Sequence, residues 1–201
     1  MSTFDERAAT WDTPERQERA EAVAATIRDA VPLRRNMRAI EIGAGTGLLG
    51  LALADDVGDL VLSDPSAGML EVTEQKIERL GRPKTSALRF DLVTDPAPSE
   101  PFDLAISLLV LHHLEDTLAA LGAIRDLLGH GGRIAIADLA TEDGSFHSED
   151  AEGIHHQGFD PEALAAVARE AGFTEVETRV GPSIERDGRD YPLVILLGRR
   201  P

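Results

Sequence analysis

Five of the six histidines form the chain's main capacity for proton transfer: the neighbouring pairs His112-His113 and His155-His156, with His147 between them. An imidazole titrates close to neutrality, so either pair could take a proton from an oxygen, nitrogen or carbon acid. His112 and His155 are the candidates for that catalytic role, and His113, His147 and His156 are candidates to line the substrate or a lid over it. Acids accompany them between residues 140 and 159: Glu142, Asp143, Glu149, Asp150 and Glu152. The spacing of His147, His155 and His156 fits no fixed metal-ligand pattern, so no metal is expected. The chain has no cysteine, which removes thiolate nucleophiles, thiolate metal ligands and disulfides.

A second group of residues could hold a ligand. Arg38-Ala39-Ile40-Glu41-Ile42 is a short apolar run, followed by Gly43-Ala44-Gly45-Thr46-Gly47 and then by the apolar Leu48-Leu49-Gly50-Leu51. Alternating glycines permit backbone geometry that a Cβ forbids and let a ligand approach the main chain. A helix beginning after such a turn presents unpaired N–H groups and the positive end of its dipole. Asp64 follows the next apolar run, where a carboxylate at a strand end can accept hydrogen bonds from a ribose diol. Two frames compete: Gly43-x-Gly45-x-Gly47, which ends the strand at Ile42, and Gly45-x-Gly47-x-x-Gly50, the dinucleotide pattern. The second frame strands Gly43 inside the end of a strand, where glycine weakens it without a reason.

The elements that must position these groups alternate between strand and helix. Thr13-Pro14-Glu15 is a helix start, and Ala20, Val23, Ala24, Ile27 and Val31 repeat at helical spacing, giving an amphipathic helix that would cover a sheet edge or the ligand cleft. Strands are predicted at 38–42, 60–63, 86–90, 102–107, 133–139, 176–180 and 191–197. Ser66 caps a helix with Met69, Val72, Ile77 and Leu80 inward, and Met69 in its first turn lies near any adenine; Gly81 and Pro83 end it. Further helices are predicted from Glu115 to Leu128 and from Asp160-Pro161-Glu162 to Gly172. An exposed hairpin through Gly181-Pro182 and Asp187-Gly188 joins the last two strands. The irregular stretch 140–159 is long for a connection in a compact domain, which marks it as functional or disordered.

In order and spacing, these pieces resemble the class I methyltransferases that use S-adenosylmethionine, and among them the small-molecule enzymes related to ubiquinone and menaquinone methyltransferases. The matching stretches are Glu41 to Gly47, Asp64-Pro65-Ser66-Ala67-Gly68-Met69-Leu70, Phe90-Asp91-Leu92, Phe102 through Leu114, Gly131-Gly132-Arg133 and Ala171-Gly172-Phe173. The resemblance implies a Rossmann-like, doubly wound α/β fold: a seven-stranded, mostly parallel sheet with the last strand antiparallel. It implies one methyltransferase domain over 1–201, made of a helical cap at 1–31 and an α/β core at 32–201 with a substrate loop at 140–159. It also implies a cofactor site drawn from Glu41, Gly43, Ala44, Gly45, Gly47, Asp64, Pro65, Met69, Asp91, Leu92, Ser107 and Leu108, with Asp91 near the adenine amino group. Phe4 and Trp11 join His113, His147 and His156 as substrate or lid residues. Where methyltransferases of DNA adenine or glutamine carry Asn-Pro-Pro-Tyr or similar, this chain has Leu108-Leu109-Val110-Leu111, which argues against those substrates.

Composition narrows the partners. A length of 201 residues suits one domain with a sizeable core. A net charge of −16 repels phosphate backbones, so a small-molecule acceptor is expected rather than nucleic acid. No apolar run approaches a membrane span and no signal segment opens the sequence, which gives a cytoplasmic expectation without membrane association. Two other readings stand beside methyl transfer: a nicotinamide oxidoreductase using the Gly45 frame, and a binding module without catalysis.

Overall fold

The computed structural model describes residues 3–147 and 153–201. Glu149, Asp150 and Glu152 of the expected substrate loop lie outside the described residues. Seven strands form one sheet: β1 (Arg38–Ile42), β2 (Asp59–Asp64), β3 (Thr85–Arg89), β4 (Phe102–Leu108), β5 (Leu128–Leu139), β6 (Thr174–Arg186) and β7 (Arg189–Arg199). Their order across the sheet is β3-β2-β1-β4-β5-β7-β6. The first five pair in parallel, whereas β7 runs antiparallel to both β5 and β6. This is the expected doubly wound sheet. The chain steps outward from β1 to β2 and β3, then returns to lay β4 on the other side of β1. The end of β1 therefore lies at the switch point where open α/β sheets bind ligands.

Alternation along the strands explains the two-sided burial. Ala39, Leu104, Ala135 and Ile195 face one core, while Ile40, Ala105, Ile134 and Val194 face the other. Strands buried on both faces read as continuous apolar runs, and these do. Helices α2 (Pro14–Ala30) and α3 (Leu48–Leu53) contribute Ala20, Val23, Ala24, Ile27, Leu49 and Leu53 to the first core. Helices α5 (Thr117–Leu127) and α6 (Pro161–Glu170) contribute Leu121, Ile124, Leu164 and Ala168 to the second. Helix α4 (Ala67–Leu80) packs beside β2 and β3. The helix starts follow the local chemistry: Thr13, Ser66, Asp116 and Asp160 each accept a hydrogen bond from a first-turn N–H. The amphipathic helix over 14–31 thus covers the sheet face. The cleft is reached instead by the short helix α1 (Thr3–Arg7) and by Trp11.

Two boundaries differ from expectation. The exposed hairpin through Gly181-Pro182 is absent: β6 and β7 continue as a ladder to Asp187-Gly188, where φ values of 52° and 74° make a two-residue turn. Gly181-Pro182 instead sits inside β6, at a register shift between Val180 and Ser183. Proline is tolerated there because β6 is an edge strand. Strand β5 likewise begins at Leu128 rather than at Arg133, taking in the glycines at 129, 131 and 132. The base of the 140–159 stretch is pinned: Ala140 bridges Phe159 in parallel, and Glu142 N–H donates to the Gln157 carbonyl at 3.0 Å.

Candidate active site

The glycine turn follows β1 directly. Gly43, Gly45 and Gly47 have φ of 64°, 54° and 78°, a left-handed region that disfavours any Cβ. The three differ in what surrounds them. A Cβ on Gly43 would lie 2.5 Å from a Val110 methyl, and one on Gly47 would lie 2.9 Å from Leu62. A Cβ on Gly45 would meet nothing closer than the Trp11 indole nitrogen at 3.7 Å and the Met69 sulfur at 3.9 Å. Gly43 and Gly47 are therefore fixed by packing, while a Cβ on Gly45 would make only ordinary contacts with Trp11 and Met69, so there the left-handed φ alone calls for glycine. Gly50 has a separate cause. Its N–H donates to the Glu41 carboxylate at 2.8 Å, and a Cβ there would come within 2.6 Å of that same oxygen. The dinucleotide frame is thus accounted for by the Glu41 contact, and the frame from Gly43 describes the turn.

Each polar group of the turn is held from below or beside. The Gly45 N–H donates to Asp64 at 2.7 Å, and the other Asp64 oxygen accepts from the Ser66 N–H at 2.8 Å. Burial, above all, raises the Asp64 carboxyl above its ordinary range; those two bonds oppose the rise, and Asp5 adds to it. Thr73 donates to the Gly45 carbonyl at 2.9 Å, and Lys76 donates to the Thr46 carbonyl at 2.8 Å. Glu41 is 2% exposed, beneath the turn, with its carboxyl lifted to about 8, burial being the main cause. Ser107, at the end of β4, ties its hydroxyl to the Ile42 carbonyl at 2.9 Å.

The N-terminal segment reaches over this turn. Asp12 accepts from the Thr46 hydroxyl at 2.5 Å and pairs with Lys76. Asp5 accepts from the Ser66 hydroxyl at 2.6 Å and from the Gly68 N–H at 3.0 Å, at the start of α4. Between them, Phe4 and Trp11 meet edge to face at 5.9 Å, and the Arg16 guanidinium stacks 4.0 Å from the indole. Of the remaining expected cofactor residues, Met69 is buried, Pro65 is exposed, and Leu92 and Leu108 are half-buried. Asp91 is half-buried at the end of β3 and accepts from the Val93 N–H at 2.8 Å. Ala44, buried, donates its N–H to the Ser63 carbonyl.

The histidines separate into two groups. His112 follows β4 and is 1% exposed; its Nδ1 lies 2.6 Å from Asp138, also 1% exposed. Asp138 accepts as well from the backbone N–H of His112 at 3.1 Å and of Leu139 at 2.7 Å, so three donors converge on its carboxylate. Nδ1 therefore carries the proton, and Nε2 presents a lone pair. Among the described residues, that Nε2 is buried without a hydrogen-bond partner, and so is the Nε2 of His147. The two rings lie 5.0 Å apart, and His113 stands 4.2 Å from His112 and 6.1 Å from His147. Phe4 closes on His113 at 5.8 Å, and Phe146 lies against His147 at 4.8 Å. Burial first, and neighbouring imidazoles second, hold His147 down to about 4 and lower His113.

The second pair, His155-His156, plays another part. Both backbone N–H groups donate to the His112 carbonyl, at 3.0 and 3.2 Å. The His155 ring is exposed. His156 donates from Nε2 to the Leu114 carbonyl at 3.0 Å and packs against Phe159 at 5.2 Å. Among the described residues no group of three His, Asp or Glu side chains is arranged to hold a metal. Sequence reasoning missed Asp138, Asp5 and Asp12 as parts of the site. It also missed Leu109, whose φ of 58° is unusual for a branched residue and marks local strain at the end of β4.

Residues 40–134 match a methyltransferase domain family. A methyltransferase of Anoxybacillus flavithermus, itself uncharacterised, is 30% identical over 75% of this chain and 63% of its own length. The aklanonic acid methyltransferase of a Streptomyces species is 30% identical over 54% of this chain and 51% of its own length. The chain thus spans roughly half to two-thirds of the curated relatives it matches. A solved S-adenosylmethionine-dependent methyltransferase from Aquifex aeolicus superposes with a TM-score of 0.70 at 19% identity, covering 96% of this chain and 97% of the other. The likeness extends to the class and does not single out the ubiquinone and menaquinone enzymes. By its glycine turn and strand order the chain has the fold of the class I S-adenosylmethionine-dependent methyltransferases, and its residues 40–134 match the methyltransferase domain family.

Proposed function

We propose that this chain transfers a methyl group from S-adenosylmethionine to a small-molecule acceptor, with His112 taking the acceptor's proton. The observation that carries the second half is the buried His112–Asp138 pair, with Nδ1 fixed and Nε2 unpartnered at the carboxyl end of β4. Support for the cofactor comes from the left-handed Gly43-x-Gly45-x-Gly47 turn at the switch point, with Trp11 and Met69 beside Gly45, and from the acids Asp64 and Asp91 at successive strand ends. Gly45, Asp64, Met69, Asp91 and Leu92 would hold the cofactor, which supplies when bound a methyl group on a positively charged sulfur.

The chain's own work is positioning and proton removal. Asp138 keeps the His112 ring in one orientation and one tautomer, and would stabilise the imidazolium once a proton arrives. Phe4 and Trp11 would form a lid that excludes water from the reacting groups, and His113 would line the acceptor side. His155 and His156 serve His112 through their backbone; the catalytic role considered for His155 passes to His112 in this reading. A small-molecule acceptor agrees with the net charge of −16 and with the relative named as an aklanonic acid methyltransferase. No helix among the described residues is long and apolar enough to cross a membrane, and a cytoplasmic setting is part of the proposal.

Calorimetry with S-adenosylmethionine, S-adenosylhomocysteine and NADH tests the cofactor assignment. Micromolar binding of the first two and none of NADH is expected; the reverse would return the nicotinamide reading. A screen of acceptors for the mass gain of one methyl group then tests the transfer itself.

A further inference from the structure

We propose that His112 and His147 together grip a single ionisable hydroxyl, that of a phenol or an enol, and that His147 is the residue that selects this acceptor class. The proposal rests on the methyltransferase reading above and deepens it. Two buried ring nitrogens without partners among the described residues belong to neighbouring rings, 5.0 Å apart, with Phe146 against one of them. Leaving buried polar atoms unmade is costly, so an unpaired couple of this kind marks a place where a ligand atom completes the bonding.

The two nitrogens are complementary. His112 Nε2 offers a lone pair, because Asp138 fixes the proton on Nδ1. His147 is held neutral by burial and by its neighbours, so it can present one N–H. A hydroxyl matches both: it donates to His112 and accepts from His147. Proton transfer then breaks the acceptor O–H bond and forms the His112 Nε2–H bond. The electron pair stays on oxygen, where the His147 N–H holds the oxyanion, and the proton later returns to solvent.

An amine fits poorly. Its nitrogen has one lone pair, which must point at the methyl group, and nothing remains to accept from His147. Oxygen keeps a lone pair for each purpose. An imidazole also matches phenols and enols in acidity far better than it matches aliphatic alcohols. Planar rings suit the walls formed by Phe4, His113 and Phe146. Among the described residues the other charged groups around the pair are Asp138, Glu142, Arg186 and the titratable His113. Arg186 bonds the Phe146 carbonyl, placing a guanidinium behind the wall that carries His147.

The test uses the S-adenosylhomocysteine complex and 4-nitrophenol, whose phenolate has its own absorbance band. In the wild-type complex the probe should bind as phenolate at a pH where most of it is neutral in solution. His147→Phe should reduce the bound phenolate fraction about 10-fold or more, the effect expected from losing one charge-assisted hydrogen bond. His147→Gln, which restores an N–H donor, should recover much of it, and S-adenosylhomocysteine affinity should be the same in all three proteins. 4-Nitroaniline should not distinguish the wild type from His147→Phe. Saturable binding as neutral phenol, equal phenolate signals in wild type and His147→Phe, or no saturable binding in a protein that binds S-adenosylhomocysteine would each overturn the clamp. Failure to bind S-adenosylhomocysteine would instead overturn the methyltransferase reading.

Discussion

The carboxyl oxygen of Glu41 accepts from the backbone N–H of Gly50 at 2.8 Å, so the end of β1 and the first turn of α3 are joined beneath the glycine turn. Glycine at 50 is a requirement of that contact, since a Cβ there would fall 2.3 Å from Leu62. Gly50→Ala should destabilise the fold by about 1–3 kcal/mol, the range for overpacking a core. Denaturant unfolding measures it, and an unchanged midpoint would show that the neighbours can move aside.

Glu41 also makes stability depend on pH. Its folded carboxyl titrates at about 8 against 4.5 for the ordinary group. The folded state therefore holds more protons than the unfolded state between those values, and this group's contribution is lost as pH rises through the window. Glu41→Gln keeps an oxygen to accept from Gly50 and cannot ionise. The variant should match the wild type near pH 5 and melt at a higher temperature near pH 8. Parallel melting profiles across the window would reject the buried, protonated carboxyl.

Gly43 and Gly45 should respond differently to the same change. Both would suffer left-handed strain of roughly 1–2 kcal/mol as alanine. Only Gly43→Ala adds a collision, at 2.5 Å from Val110. Gly43→Ala should therefore lower the melting temperature more, while Gly45→Ala should lower S-adenosylhomocysteine affinity more relative to its thermal cost. Equal losses in both measurements for both variants would make the whole turn a packing feature.

Asp64→Ala should weaken S-adenosylhomocysteine binding by about 1.5–3 kcal/mol, as expected for a hydrogen bond to a charged group. The variant also strips the Gly45 and Ser66 N–H groups of their acceptor, so some thermal stability should go with it. Asp64→Asn keeps one acceptor oxygen and should lie between the two. Unchanged affinity in folded Asp64→Ala would reject the ribose assignment.

The segment from Phe4 to Asp12 is tied to the turn through Asp5, Asp12 and Lys76. The Trp11 indole nitrogen would lie 3.7 Å from a Cβ placed on Gly45, so ligand binding at the turn should change its emission. Asp12→Asn should loosen the segment and raise its hydrogen exchange, most in the ligand-free protein. Constant Trp11 emission at saturating S-adenosylhomocysteine would leave α1 as packing alone.

Much of this was legible in local sequence. The frame starting at Gly43, the caps at Thr13, Ser66 and Asp160, and the acid at the end of β2 all follow from short-range chemistry. The partner of His112 was not legible, because Asp138 lies 26 residues away and meets it only through the register that sets Leu108 beside Ala137. A signal was present: Asp138 interrupts the apolar run of a strand buried on both faces, where an acid needs a partner. The partners of Glu41 and Asp12 were hidden for the same reason, since Gly50 lies on α3 and Lys76 on α4. The length of β6 was missed because Gly181-Pro182 reads as a turn, and only its position at the sheet edge lets proline remain in the ladder.

That edge has a consequence for how copies of the protein meet. Val180 is 84% exposed on β6, an apolar side chain on an open strand of the kind that recruits a neighbouring chain into a growing sheet. Pro182 removes a donor from that rim, and the bulge between Val180 and Ser183 breaks its register. The other rim, β3, is only five residues long. Both rims of the sheet thus carry features that oppose edge-to-edge strand pairing.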